Sequence, residues 1–475
     1  MTAPDYDAVV IGSGPNGLVA AIEVASAGHR VLVVEAAERP GGGTRTEALT
    51  LSGFHHDVCS AIHPLGVASA ALRDLPLTDH GVRWIHPAAP LAHPLPGRAV
   101  ILERSLATTA ERLGTDGTAW TRLMNTVVGP GGQLINQLLD PLSVPRHPVA
   151  LARYGWPGIR GATSLAASRF AGEDAKALLA GLAGHSFQRL DAPATAGFGL
   201  LLGGLAHLVG WPLVEGGSQR IADALVAILE ARGGTIECGT RIDDVADLPS
   251  SRVVLADVSP RQLLAIGGDR LPARYRRRLG RYRYGPGVFK LDCALDGPVP
   301  WSDPEVARAA TVHVGGTSAE VAGAEREVAA GRAAERPFVL VAQPSCFDPS
   351  RAPSGHHTLW AYCHVPNGCT IDMSERIERQ IERFAPGFRD RILARHAMGP
   401  AAMESRNANL VGGDINGGAA DLRQLVFRPV ISRRPWIVPL PGWYLCSAST
   451  PPGGGVHGMC GHRAARLALR RELRR

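Results

Sequence analysis

The sequence predicts an α/β fold, and three observations support that prediction. Hydrophobic residues make up 45% and charged residues 20% of the 475, which is ordinary for a globular protein with a large core. An apolar stretch, "YDAVVIG", precedes a glycine-rich turn and a segment whose apolar residues recur at helical spacing. A second apolar stretch, "HRVLVVE", then ends at Glu35. Residues 6–35 therefore predict the βαβ unit of a Rossmann-like domain.

The turn after the first strand has the G-x-G-x-x-G spacing, at Gly12, Gly14 and Gly17. The first glycine permits a tight turn, the second lets the backbone approach a phosphate, and the third lets helix and strand pack closely. The helix N-terminus faces the negative charge, and Glu35 can accept hydrogen bonds from ribose hydroxyls. The predicted dinucleotide contacts are Gly12, Gly14, Pro15, Asn16, Gly17, Glu35 and Ala36.

A second glycine-rich loop, "AERPGGGTRTEAL", directly follows the acid. Its glycine triplet permits another approach to the pyrophosphate, while Arg45 and Thr46 supply a charge and a hydroxyl. A second phosphate-side loop at this place is more typical of FAD proteins than of NAD dehydrogenases. The predicted contacts in this loop are Gly42, Gly43, Arg45 and Thr46.

Two later segments supply further elements. "VEGGSQRIADALVAILEARGGTIECGTRI" predicts a helix with Ser218 as its N-cap and Gly233 at its end, followed by a strand. "GWYLCSASTPPGGGVHGMCGHRAARLAL" predicts a strand "WYLCSA", a glycine loop and a helix beginning near His457. The N-terminus of that helix would stabilise negative charge on a reduced flavin ring, and glycines 453–455 would let the backbone lie against the ring.

The pairing of "GSGPNG", the acid and "PGGGTRT" with "YLCSAST" and "PGGGVHGM" resembles the phytoene-desaturase-like FAD oxidoreductases over nearly the whole chain. Carotenoid desaturases usually carry G-G-R in the loop after the acid, where this sequence has Gly43 in the third position. They usually carry T-H-P-G near the chain end, where this sequence has "TPPG". Both departures favour the branch called pyridine nucleotide-disulfide oxidoreductase domain-containing protein 2.

The resemblance implies additional site residues. Ile242 would contact adenine through its backbone, and Asp257 stands where the family usually has an acid or an amide. The implied contacts near the chain end are Ser447, Gly455, Val456, His457 and Met459. The stretch "GFHHDVCSAIHPLG" would approach the flavin. The candidate catalytic side chains are His56, Asp57 and His457. A hydrogen-bonded structural role is the alternative for His56, and the backbone of His457 is expected to meet the flavin.

These motifs predict a discontinuous FAD-binding domain and a substrate domain. The FAD-binding domain would comprise residues 1–65, 212–285 and 435–475, and the substrate domain residues 66–211 and 286–434. The first insertion mixes helices with Pro- and Gly-rich loops, and the second contains strand candidates such as "GVFKLDCAL", "RPFVLVAQ" and "HTLWAYCHV". The resemblance implies an α+β substrate domain around an antiparallel sheet with helices on top. The helix predicted for "SERIERQIERF" would have solvated charges.

The net charge, the cysteine pattern and the N-terminal sequence indicate which partners and which cellular location to expect. The net charge is +7, but the basic stretches lack the interleaved aromatics of an RNA-binding surface, which excludes nucleic acid and leaves weak attraction to a membrane surface. The eight cysteines contain no C-x-x-C, and no secretory signal is visible, so we expect a reduced cytoplasmic protein, peripheral to a membrane at most, with no metal. The apolar stretch 196–214 is predicted to be a buried helix beside an apolar cavity.

The expected function is transfer of a hydride from an apolar small-molecule or lipid-like substrate to N5 of FAD. Only one dinucleotide fingerprint is present, so a diffusible acceptor such as oxygen or a quinone is expected to reoxidise the flavin. One alternative is an amine or alcohol oxidase of specialised metabolism on the same scaffold. Another is a flavin-free protein that binds prenyl or lipid groups.

Overall fold

The computed structural model describes residues 4–140 and 144–474, which form two principal sheets flanked by helices. The strands are β1 Tyr6–Ile11, β2 Val31–Val34, β3 Thr46–Glu47, β4 His56–Asp57, β5 Trp84–Ile85, β6 Ala89–Leu95, β7 Arg98–Leu102, β8 Leu213–Val214, β9 Thr235–Glu237, β10 Ser251–Ala256, β11 Gly287–Leu295, β12 Ala309–Val314, β13 Val339–Ala342, β14 His357–Val365, β15 Ile392–Met398 and β16 Trp443–Leu445.

Helices pack on both sheets. They are α1 Pro15–Ser26, α2 Pro64–Ala68, α3 Ala70–Arg73, α4 Leu106–Arg112, α5 Gly117–Val128, α6 Gly132–Leu138, α7 Pro148–Gly158, α8 Ala162–Arg169, α9 Glu173–Gly184, α10 Thr195–Leu208, α11 Gln219–Ala231, α12 Pro260–Gly267, α13 Ala273–Leu279, α14 Ser318–Ala329, α15 Ser374–Glu382, α16 Pro400–Arg406, α17 Leu422–Val426 and α18 Met459–Arg471.

The first sheet is parallel, with the strand order β16-β10-β1-β2-β9. Its central strands read as continuous apolar runs because helices or loops cover both faces. One face packs against α1, α11 and α18, and the other contributes to a separate apolar cluster that includes Leu263 and Ile266 of α12. The predicted Rossmann-like architecture is therefore confirmed, and it draws strands from three distant parts of the chain.

The helix α1 begins where the glycine turn ends. Pro15 occupies the first turn, where its missing N–H leaves no bond unmade. The helix α18 crosses α1 so closely that a Cβ on Gly461 would lie 1.8 Å from the backbone oxygen of Asn16. This approach brings the glycine loop before α18 to the same edge of the sheet as the N-terminal turn.

The second sheet has the order β15-β11-β14-β13-β12-β6-β7. Its neighbours pair antiparallel, except that β12 and β6 are parallel. The predicted antiparallel sheet is thus largely confirmed. The strands β6 and β7 were not predicted. Pro90 and Pro94 interrupt the strand pattern of β6, since proline removes a donor from the ladder.

Several local predictions need correction. The helix predicted to begin near His457 begins at Met459, since Gly458 adopts a φ of +68° just before it. Ser218 does precede α11, but its hydroxyl donates to the backbone of Ser60 rather than capping the helix. The charges of α15 are not all solvated, because Glu378 is 3% exposed and pairs with arginines of the neighbouring chain segments.

The apolar stretch 196–214 forms most of α10, whose residues are largely buried. None of the helices in the described residues has the length and hydropathy needed to cross a bilayer. This helix packs against α9, α5 and α7, and one side of it faces the large cavity described below.

Candidate cofactor and substrate site

A single cavity of about 1050 Å³ extends between the two sheets. Its lining includes most of the predicted cofactor contacts: Gly12, Gly14, Pro15, Asn16, Glu35, Ala36, Gly42, Gly43, Arg45, Ile242, Asp257, Ser447, Gly455, Val456 and His457. The remaining predicted site residues, which are Gly17, Thr46, His56, Asp57 and Met459, are not part of its lining.

The glycine turn at one end of the cavity requires its glycines for steric reasons. Gly12 has a φ of +94°, a backbone conformation that side chains rarely adopt. A Cβ on Gly14 would lie 2.9 Å from Oδ2 of Asp257, and one on Gly17 would lie 2.1 Å from the backbone oxygen of Gly12. A side chain at any of these positions would therefore clash with the backbone of the turn or with Asp257, and the turn would have to move.

Glu35 is held against this turn. Its Oε2 accepts hydrogen bonds from the backbone N–H of Ser13 at 2.8 Å and from the Ser13 hydroxyl at 2.5 Å. Its Oε1 accepts a bond of 2.9 Å from the Ala37 N–H and lies 3.7 Å from Nη2 of Arg45. The acid at the end of β2 therefore points toward the turn, as binding of a ribose beside a pyrophosphate requires.

Asp257 follows β10 and lies beneath the turn. Its Oδ2 accepts a hydrogen bond of 3.0 Å from the backbone N–H of Gly17. Burial raises the pKa of this carboxyl to about 7, and the nearby charge of Glu35 acts in the same direction, although the Gly17 bond opposes them. Near neutral pH the group can therefore take up a proton, which would reduce its repulsion of a phosphate placed at the turn.

The second glycine loop packs directly on the first. Gly41 and Gly42 have φ values of +128° and +53°, and a Cβ on Gly42 would lie 3.0 Å from the Cα of Gly14. Thr46, predicted to contact the cofactor, instead donates a hydrogen bond of 2.7 Å to Oδ1 of Asp57. Only the first part of this loop faces the cavity.

The loop before α18 forms a further part of the cavity wall. The Nε2–H of His457 donates to the backbone oxygen of Gly453 at 3.1 Å, and its Nδ1 accepts from the Met459 N–H at 3.1 Å. Burial lowers the pKa of His457 to about 4. Since both ring nitrogens hold the loop together and the ring stays neutral, this side chain is suited to shaping the loop rather than to carrying protons.

The other two candidate catalytic residues lie in a buried network behind the cavity wall. His56 contacts Thr50 through Nε2 at 2.8 Å, and burial lowers its pKa to about 3. Asp57 accepts hydrogen bonds from the Ser218 N–H at 2.8 Å and from Nη2 of Arg351 at 2.9 Å. These bonds join α11 and the loop around Arg351 to the segment that precedes α2.

A second buried pair lies close by on β11. The ammonium of Lys290, which is 1% exposed, contacts the carboxylate of Asp292, and burial raises the pKa of that carboxyl to about 6. The Lys290 nitrogen also lies 5.7 Å from the ring centroid of Trp360, which does face the cavity. The Lys290 ammonium therefore lies behind Trp360, which separates it from the cavity.

The part of the cavity away from the glycine turn is apolar, and we call it the chamber. Its wall consists of α7, α10, neighbouring loops and one face of the second sheet. The large apolar and aromatic side chains that line it are Leu139, Leu151, Tyr154, Ile159, Phe187, Phe198, Leu201, Leu202, Trp211, Leu340, Trp360 and Tyr362.

The helix predicted within 196–214 does line the chamber, through Phe198, Leu201 and Leu202, whereas the chamber residues outside that segment were not predicted. Trp360 and Tyr362 share a face of β14 because side chains two apart in a strand point the same way, so the alternation in "HTLWAYCHV" could have indicated them. His185 gave no such signal. It lines the chamber and contacts Nε2 of His313 at 3.0 Å, and burial lowers its pKa to about 3, so it is neutral.

Comparisons with known proteins agree with this architecture. Residues 10–75 match the family model described as an NAD(P)-binding Rossmann-like domain. The chain is 27% identical to rat pyridine nucleotide-disulfide oxidoreductase domain-containing protein 2, over 98% of this chain and 94% of the relative. It is 25% identical to the neurosporene-forming phytoene desaturase of Rhodobacter capsulatus, over 96% of this chain and 92% of the relative.

Solved structures share the fold. A structure of a putrescine oxidase double mutant superposes with a TM-score of 0.62 at 16% identity, covering 99% of both chains. The glycine turn, its acid and the closing loop occur together on this scaffold, and the likeness to the sequence relatives extends over nearly the full length. The chain is therefore an oxidoreductase enzyme that resembles pyridine nucleotide-disulfide oxidoreductase domain-containing protein 2 and a phytoene desaturase over nearly its full length.

Proposed function

We propose that this enzyme binds one FAD along the cavity and oxidises an uncharged, apolar molecule held in the chamber. One observation carries the proposal: the same cavity is lined at one end by the glycine turn and Glu35, and at the other by apolar side chains. A dinucleotide site and a hydrocarbon-binding space are thus continuous. Apolar pockets with few polar groups are typical of sites for small hydrophobic ligands.

The residues at the turn fit FAD. The glycines let the turn pack tightly against its own backbone and Asp257, and Arg45 and the N-terminus of α1 would offset the charge of a diphosphate. Ser447 and the loop 455–457 line the cavity on the side where a flavin ring would need backbone contacts. When bound, FAD supplies a hydride acceptor at its flavin N5.

The chamber residues would orient a C–H bond and keep water away from it. Among the described lining residues, the carboxylates are Glu35 and Asp257, and both belong to the turn. A protonated amine in the chamber would therefore lack a counter-ion, which favours an uncharged substrate over an amine. Neutral His185 and the hydroxyl of Tyr362 are among the polar groups that a ketone or alcohol on such a substrate would meet.

The sequence has one dinucleotide fingerprint, which would be occupied by FAD and leaves no second one for NADPH. Oxygen or a quinone is therefore the proposed electron acceptor. The purified protein should be yellow and release FAD on denaturation. Under anaerobic conditions NADPH alone should leave the flavin oxidised, whereas an apolar extract fraction should bleach it and air should restore it. A colourless protein that FAD cannot reconstitute would overturn the proposal in favour of a flavin-free lipid binder.

A variant of the chamber tests the substrate part separately. Leu202→Arg places a charge in the chamber and should abolish bleaching by the extract fraction while the flavin content stays at the wild-type level. Leu393→Arg, at an apolar residue that is 47% exposed on β15, is the matched control and should behave as the wild type. Equal bleaching by Leu202→Arg would show that the substrate binds elsewhere.

A further inference from the structure

The helix α7 has two faces with different surroundings. Leu151, Tyr154, Gly155 and Gly158 recur at helical spacing and line the chamber. The opposite face carries exposed residues, of which Trp156 is 81% accessible. A single helix therefore separates the apolar chamber from the outside of the protein.

The outer face of α7 and its approach are unusually apolar for a surface. Val144 is 89% and Val149 62% exposed, and Ile159, just after the helix, is 53% exposed. Isolated exposed apolar residues are normal, but four within 16 positions, including a tryptophan, make a patch that water solvates poorly.

The chain segment that carries this patch has arginines but no acidic residue. From residue 144 to residue 172 the chain contains four arginines and no aspartate or glutamate. Arg146 and Arg153 are exposed, and neither has an acidic partner among the described residues. Both line a surface depression of about 590 Å³ beside α7, and the described residues of its lining include no carboxylate.

We propose that the outer face of α7, with Val144, Val149, Trp156, Arg146 and Arg153, docks on the surface of a bilayer that contains anionic phospholipid. Tryptophan and aliphatic side chains partition into the headgroup boundary, while arginines attract phosphate groups. The unpaired arginines and the acid-free segment favour such a surface over a second copy of this chain, since two copies would bring like charges together.

The docking proposal is argued from exposure and charge and is independent of the proposed function. The further proposal that an apolar substrate enters the chamber from the bilayer rests on the proposed function. With α7 against a bilayer, Ile159 and the inner face of the helix would lie between the acyl boundary and the chamber, so an apolar substrate could enter without crossing water.

The test is co-sedimentation of the full chain with vesicles. Binding is expected to vesicles in which about a third of the lipid is phosphatidylglycerol, and far weaker binding to pure phosphatidylcholine, with a loss at high salt. The double variant Arg146→Gln/Arg153→Gln should lower the partition coefficient about 30-fold, at about fivefold per basic residue. Trp156→Ser should lower it about tenfold.

Matched variants separate this surface from general charge and hydrophobicity. Arg274→Gln/Arg277→Gln removes the same charge from the exposed side of α13 and should retain binding, as should Leu393→Ser. Quenching of tryptophan fluorescence by brominated lipid should fall in Trp156→Phe while sedimentation persists. Equal losses in both double variants would overturn the proposal.

Two other outcomes would also overturn the docking proposal. The first is failure of the wild type to sediment with either vesicle. The second is a concentration-dependent dimer in light scattering that Trp156→Ser abolishes, without vesicle binding. Flavin content and bleaching are measured in the same preparations, so failure of the docking surface is distinguished from failure of the proposed function.

Discussion

The backbone N–H of Gly17 donates a 3.0 Å hydrogen bond to Oδ2 of Asp257, a residue 240 positions later in the chain. The turn that would hold the pyrophosphate is therefore supported by a carboxyl group from another segment of the domain. The crowding around Gly17 and the burial of the Asp257 carboxyl can be tested separately. Substitution of Gly17 is expected to change flavin content and stability, and substitution of Asp257 is expected to change the pH dependence of stability.

The variant Gly17→Ala should lose flavin and stability together. Its Cβ would lie 2.1 Å from the Gly12 backbone oxygen, so the turn must move, at a cost of about 3 kcal/mol in the free energy of unfolding. Urea unfolding and visible absorbance measure the two effects. Gly323→Ala, on α14 with no neighbouring atom within 4 Å, is the control and should gain about 0.5–1 kcal/mol with full flavin. Flavin retention by Gly17→Ala would contradict the argument.

The variant Glu35→Gln should weaken FAD binding without unfolding the protein. An amide retains the shape of the side chain but removes the charge that accepts bonds from Ser13 and from a ribose, which corresponds to a loss of about 10- to 100-fold in Kd. Titration calorimetry of the apoprotein with FAD measures this change. Glu38→Gln, at a neighbouring exposed acid, should bind as the wild type does. An unchanged Kd in Glu35→Gln would show that the acid does not contact the cofactor.

The stability of the apoprotein should depend on Asp257 in a definite direction. Its folded-state pKa of about 7 lies above the unfolded value near 3.9, so the folded state binds more protons between those pH values. This group therefore stabilises the fold at low pH, and that contribution falls as pH rises toward 7, by up to about 1.4 kcal/mol per pH unit.

The variant Asp257→Asn isolates that contribution, since the amide oxygen can still accept the bond from Gly17. Unfolding of both apoproteins in urea at a series of pH values between 5 and 8 gives the difference in slope. We expect the wild type to lose stability relative to the variant as pH rises through this range. Parallel curves would mean that Asp257 titrates normally.

The variant Asp57→Asn should be a stability variant rather than a catalytic one. It leaves the buried guanidinium of Arg351 without its counter-charge, which costs about 3–5 kcal/mol. The flavin of the folded fraction should retain its spectrum and its rate of bleaching. Glu327→Gln, which breaks an exposed pair with Arg332, should leave the unfolding midpoint unchanged. A large fall in bleaching rate with unchanged stability would assign Asp57 a chemical role instead.

The sequence predicted well those features that lie within one continuous segment. The β1-α1-β2 unit, the glycine turn and Glu35 occupy residues 6–35, where periodicity and glycine spacing are local signals. The strands β11, β13 and β14 are likewise indicated by local stretches that are rich in apolar and aromatic residues. The family resemblance implied only that they belong to an antiparallel sheet, and their pairing was not predicted because no local pattern specifies which strands pair.

Features made by distant residues escaped prediction. The bond between Asp57 and Arg351 joins residues 294 positions apart, and nothing near either residue indicates the other. Thr46 was predicted to contact the cofactor because a hydroxyl near a glycine loop suits a phosphate. In the structure its hydroxyl donates a hydrogen bond to Asp57 instead. The proposed docking face of α7 was not predicted, because the sequence around Trp156 does not indicate whether this tryptophan is buried or exposed.

The parallel sheet places β16 beside β10, with α18 packed on α1. During synthesis, the glycine turn leaves the ribosome long before residues 443–471, so the nascent chain carries an unfinished nucleotide pocket for most of its translation. Loading of FAD into the proposed site would therefore follow emergence of α18, and a ribosome stalled before residue 443 would display a chain without the loop that lines this part of the pocket.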